Sequence, residues 1–138
     1  MSFCFGIALL HHISFKRNKN NVMITSDQLK DVMERADALH HYLNIDAKKI
    51  EYEEEQLRTQ APDFWDDPKR AQEQMKKVKG LEKWINGYKE VRTCADELKL
   101  AFDFYKDDML TEEEVDEDYN KAISAIEKLE LMNMLRQK

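Results

Sequence analysis

At 138 residues, with a formal net charge of −6, 36% charged side chains, three glycines and two prolines, the chain fits one domain made of long solvated helices. Its acidic balance argues against a general nucleic-acid binder, and against DNA in particular, since such proteins carry a basic excess. Cys4 and Cys94 are too few and too far apart for a disulfide framework or a zinc site, so a reducing, cytoplasmic setting is expected.

The segment from Phe3 to Leu10 is apolar but far too short to span a bilayer, and Lys16, Arg17 and Lys19 follow it instead of preceding it. Neither a signal peptide nor a membrane partner is therefore expected. Asn18, Asn20 and Asn21 form a polar, helix-poor stretch, and the regular pattern begins only beyond Met23. Residues 1–22 are expected to be a disordered leader upstream of a natural start at Met23, with residues 23–138 forming the helical domain.

Thr25 with Gln28 makes a capping box, after which Leu29, Val32, Met33, Ala36, Leu39 and Leu43 share one face, predicting a helix over about 26–43. Asn44 and Ile45 break it. Asp46 is expected to cap a second helix reaching about Thr59, with Ile50 and Leu57 as its apolar pair and Glu51, Glu53, Glu54 and Glu55 as its solvated surface. From Pro68 the apolar residues Ala71, Met75, Val78, Leu81, Ile85, Tyr88, Val91, Ala95, Leu98, Phe102, Tyr105 and Met109 recur at steps of three and four. About forty residues at 1.5 Å each make a rod of roughly 60 Å, which needs a partner helix along its length. The consecutive steps of three from Ile85 to Val91, close to Gly80 and Gly87, predict an irregularity or bend there.

Asp107, Asp108 and Thr111 mark a turn, and Thr111 with Glu114 forms a second capping box. The last helix carries Val115, Tyr119, Ala122, Ile126 and Leu129 at the same spacing, so the two seams predict an antiparallel hairpin. Leu131, Met132, Met134 and Leu135 are more apolar than one stripe requires, as expected of a surface that packs on further chain. The fold expected is all-α: a short N-terminal helical pair followed by a long antiparallel coiled-coil-like hairpin.

Between the second and third helices lies Ala61-Pro62-Asp63-Phe64-Trp65-Asp66-Asp67-Pro68. Pro62 stops one helix, and Asp67-Pro68 reads as an N-cap with proline at the first helical position of the next. Phe64 and Trp65 are expected to plug this loop onto the neighbouring helices. With its flanks Tyr42-Leu43, Asp46-Ala47-Lys48-Lys49, Glu51 to Glu55 and Lys69-Arg70-Ala71-Gln72, the stretch resembles the N-terminal domain of bacterial class I peptide chain release factors, most closely release factor 2. The resemblance extends more weakly from about Ile24 to Arg136.

That resemblance implies a role in translation termination and two kinds of partner: the factor-binding side of the large ribosomal subunit, and the remaining release-factor domains. In the family, peptidyl-tRNA hydrolysis depends on a Gly-Gly-Gln loop and stop-codon reading on a Ser-Pro-Phe loop. Here Gly6, Gly80 and Gly87 are isolated, and Pro62 and Pro68 follow Ala61 and Asp67, so the 138 residues hold neither loop. Neither activity is expected of this stretch alone. A free-standing coiled-coil adaptor that binds partner helices is the alternative.

The residues offer no catalytic constellation and imply no cofactor. His40 and His41 with Asp37 sketch a weak surface metal site, but a working site needs three or four converging ligands. The acidic run Glu112-Glu113-Glu114 with Asp116, Glu117 and Asp118 lacks the ligand spacing and glycine of a calcium loop, and fits instead the positive end of a helix dipole. Lys76, Lys77, Lys79 and Lys83, near Lys69 and Arg70, form the one concentrated basic stretch. A solvated helix face accounts for them; in the release-factor resemblance, Lys76, Lys77 and Lys79 would instead meet ribosomal RNA phosphates.

Overall fold

A computed structural model describes residues 24–136, which leaves the expected leader, residues 1–22, outside the described residues. The elements are α1 (Ser26–Leu43), α2 (Ile45–Arg58), a 3-10 turn (Phe64–Asp66), α3 (Pro68–Lys106) and α4 (Glu112–Arg136), with no strand among the described residues. The fold is all-α. None of these helices is long and apolar enough to cross a membrane.

The ends of the helices follow the local chemistry of the sequence. Thr25 and Gln28 form the reciprocal capping box, with Gln28 N–H donating to Thr25 Oγ1 at 3.2 Å and Thr25 N–H to Gln28 Oε1 at 2.8 Å. Thr111 and Glu114 repeat the device at the start of α4, and Asp67 accepts from Arg70 N–H ahead of Pro68. Asp46, however, is not a cap. Asn44 joins α1 to α2 directly in a left-handed conformation, φ 51° and ψ 55°, which a short polar side chain tolerates better than most. Asp46 falls in the first turn of α2 with its carboxylate 3.2 Å from His40 Nε2, while Lys48 Nζ donates to the orphan Leu43 carbonyl at 2.5 Å.

Helices α3 and α4 form the antiparallel hairpin. Tyr105 O–H meets Glu112 at the turn, Gly87 faces Leu129 midway, and Arg136 lies over the Trp84 ring, 5.1 Å from its centroid. Helix α1 lies against both, through Asp37 to Arg92 on α3 and Arg35 to Glu130 on α4. Beyond Asn44, α2 continues along α3 towards its start, through Glu51 and Glu55 to Lys77 and Gln74. The molecule is therefore a three-helix bundle at one end and a two-helix ribbon at the other.

Burial follows this division. Val32, Ala36, Leu39, Leu43, Val91, Ala95, Leu98, Val115, Ala122, Ile126 and Leu129 fill the bundle. In the ribbon, α3 buries Ala71 and Val78 and α2 buries Glu55, while Ile45 at the start of α2 joins the bundle core. Helix α3 ends at Lys106, so the seam stops at Tyr105, and Met109 lies exposed in the turn. The helix runs unbroken through Gly80 and Gly87. A Cβ on Gly87 would stand 2.9 Å from Leu129 Cδ1, whereas one on Gly80 meets nothing within 4 Å, so only Gly87 serves close helix packing.

Two expectations about α2 and the connector are overturned. Ile50 and Leu57 point outward, 60% and 65% exposed, and Glu55, assigned to the solvated surface, is the side chain turned in. The pairing across the ribbon decides this, because Gln74 and Lys77 on α3 supply hydrogen bonds that an aliphatic side chain could not use. Trp65 does not plug the loop. It is 66% exposed and stacks edge-on with the half-buried Phe64 at 4.9 Å, since the 3-10 turn aims the two rings at each other.

Candidate nucleic-acid interface

The basic stretch of α3 divides into two groups once it is wound into a helix. At 100° per residue, Lys69, Lys76, Lys79 and Lys83 fall within an arc of about 80° over roughly 21 Å of helix. All four are exposed, and none has an acidic partner among the described residues. Lys77 lies about 100° round from Lys76, facing α2. Its ammonium donates to Glu55 Oε1 at 2.9 Å and stands 3.9 Å from Glu51. Spacing alone had grouped Lys76, Lys77 and Lys79, but the fold separates the middle one from its neighbours.

The group that holds Lys77 is a buried polar pin. Glu55 accepts from Gln74 Nε2 at 2.6 Å, and the same amide nitrogen donates to the Glu55 carbonyl at 2.8 Å. Arg58 stands 3.5 Å from Oε2, the same carboxylate oxygen that takes Gln74, while Oε1 takes Lys77. Hydrogen bonds from Gln74, then Lys77, hold the Glu55 carboxyl below its ordinary acid range. Both oxygens of a carboxylate with 5% exposure are thus occupied.

The exposed lysines lie on the side of α3 turned away from α2. At Lys83 the stripe reaches a groove of about 260 Å³ between α3 and α4, lined by Asn86, Gly87, Ala125, Leu129 and Met132, with Lys128 on its far wall. Glu90 is the one acid at its edge. An unpaired row of ammonium groups on a rigid rod suits a polyanion, because it releases counterions without breaking any internal ion pair. Pro62 and Pro68, with Phe64 and Trp65, bracket the start of the same helix, and Pro68 is its first residue.

Asp37 is committed to Arg92 Nη1 at 2.9 Å, and His40 is packed edge-on against Tyr88 at 5.1 Å. No group of three metal-ligating side chains occurs among the described residues, the acidic run of α4 included. Cys94 is half-buried with its thiol pushed up by burial, the opposite of an activated nucleophile.

The family model of the PCRF domain matches residues 47–138, two thirds of the chain. The chain belongs to this family. It carries the helical N-terminal domain of release factors, a domain of translation termination. The PCRF match takes in α2 from Ala47, the connector and the whole hairpin. It begins after α1, although α1 buries Val32, Ala36, Leu39 and Leu43 in the bundle, so the packed unit is larger than the matched segment.

Proposed function

We propose that this PCRF domain is the ribosome-contacting N-terminal part of a release factor of the release factor 2 type, working in the cytoplasm at the factor-binding side of the large subunit. The Pro62-Asp63-Phe64-Trp65 and Asp67-Pro68 connector supports that type. In this reading Lys76 and Lys79, with Lys69 and Lys83 in the same row, meet RNA phosphates, while Lys77 keeps α2 in place. The observation that carries it is the row of exposed, unpaired ammonium groups along one face of α3. The stretch contributes no Gly-Gly-Gln or Ser-Pro-Phe loop, so stop-codon reading and peptidyl-tRNA hydrolysis belong to other release-factor domains.

The test is the salt dependence of ribosome affinity. The Lys76→Glu/Lys79→Glu variant should bind more weakly at low salt, with a log–log slope shallower by roughly 0.7 for each phosphate that is no longer neutralised. Lys77→Ala should leave the slope alone. Identical affinity and slope for wild type and the double variant would end the proposal.

A further inference from the structure

Helix α2 turns a carboxylate inward and leaves two large aliphatics outside, unlike an ordinary surface helix. Its α3-facing side is pinned by the Glu55 carboxylate and buries one aliphatic side chain, Ile45. The large aliphatics Ile50 and Leu57 stand two turns apart on the outer side. Within about 60° of Ile50 on the helix surface lie Asp46, Ala47, Glu53, Glu54 and Leu57. This outer face therefore combines two exposed aliphatics with three carboxylates and no base. Asp46 lies 3.2 Å from His40 Nε2, while Glu53 and Glu54 are exposed without a cationic partner among the described residues.

We propose that the outer face of α2 is a docking surface for a basic amphipathic helix of a partner protein. Aliphatic side chains of that helix cover Ile50 and Leu57, whose two-turn spacing matches a helix laid alongside, and flanking lysines or arginines meet Asp46, Glu53 and Glu54. The sign of the charge selects the partner, because a polyanion is repelled from this face and drawn to the lysine row of α3. That row lies on the far side of the ribbon, so both surfaces can be occupied at once. This assignment stands on α2 alone and survives failure of the ribosomal RNA reading.

The probe is a fluorescent Leu/Lys peptide about 18 residues long with leucines on one helical face, compared with a scrambled peptide of the same composition, each titrated against the full chain by anisotropy. The amphipathic peptide should bind saturably and more tightly than the scrambled one. Ile50→Ser/Leu57→Ser should weaken it about tenfold, Glu53→Lys/Glu54→Lys should weaken it and flatten its salt dependence, and Lys76→Glu/Lys79→Glu should not weaken it. All these positions are exposed, so unchanged helical circular dichroism will show that the variants fold. No saturable binding, equal binding of the two peptides, or indifference to Ile50→Ser/Leu57→Ser would overturn the proposal. So would self-association of the full chain that the same variant abolishes, which would give the face to a second copy.

Discussion

The bundle end and the ribbon end of this domain share one helix, α3, yet are held together by different physics. In the bundle, three helices enclose a contiguous aliphatic core that includes Leu98, Val115, Ile126 and Leu129. In the ribbon, two helices meet across Ala71, Val78 and the Glu55 pin. Apolar burial is non-directional and tolerates small shifts, whereas a buried carboxylate holds only while its donors stay in place. One long helix can thus carry a rigid foundation at one end and a helix with its own local opening equilibrium at the other.

The bundle should be the most sensitive to substitution. Ile126→Ala or Leu98→Ala should cost about 2–5 kcal/mol and lower the midpoint of global unfolding in urea. If either variant opened only α2, the division into two ends would be wrong. The next test belongs to the ribbon. Glu55→Ala should accelerate amide exchange several-fold across α2 while leaving α1 and α4 nearly unchanged, and uniform acceleration would erase the distinction.

Acid should act in opposite directions at the two ends. The Glu55 carboxyl is held below its ordinary value of 4.5 by Gln74 and then Lys77, so its contribution is complete above that value and is lost as pH falls through the lower folded value. Asp116 and Asp118 on α4 are pushed upward, mainly by burial, so protonating them relieves a cost of the folded state. Amide exchange followed from pH 7 towards pH 3 should therefore show α2 loosening before the bundle. Simultaneous loosening of both ends would count against the pin.

The two helical glycines of α3 should respond more weakly, and differently from each other. Gly80→Ala meets open space and should stabilise the domain by about 0.5–1 kcal/mol through helix propensity. Gly87→Ala brings a methyl group against Leu129, and that crowding should offset the same gain. A thermal midpoint raised equally by both substitutions would mean that the approach of α3 to α4 is looser than their packing indicates.

Much of this architecture is legible in the chain. The capping boxes at Thr25 and Thr111, the Asp67-Pro68 start and the apolar spacing of α3 and α4 are local signals, and each acts through neighbours within a few residues. The candidate site was legible only in composition. A run containing Lys76, Lys77 and Lys79 gives no sign that Lys77 is the one turned to α2, because that depends on a partner about twenty residues away in the chain.

Local sequence sets the starts of α1, α3 and α4 and the aliphatic seam on which the hairpin closes, since capping and periodic burial depend on residues close in the chain, but it misplaces the junction of α1 and α2. Which way α2 faces depends instead on contacts distant in the chain. Ile50 and Leu57 looked like its inner side, but Gln74 and Lys77 on the opposing helix gave the buried position to Glu55. A helix presents all its faces, and the side that is buried is chosen by the groups waiting across from it.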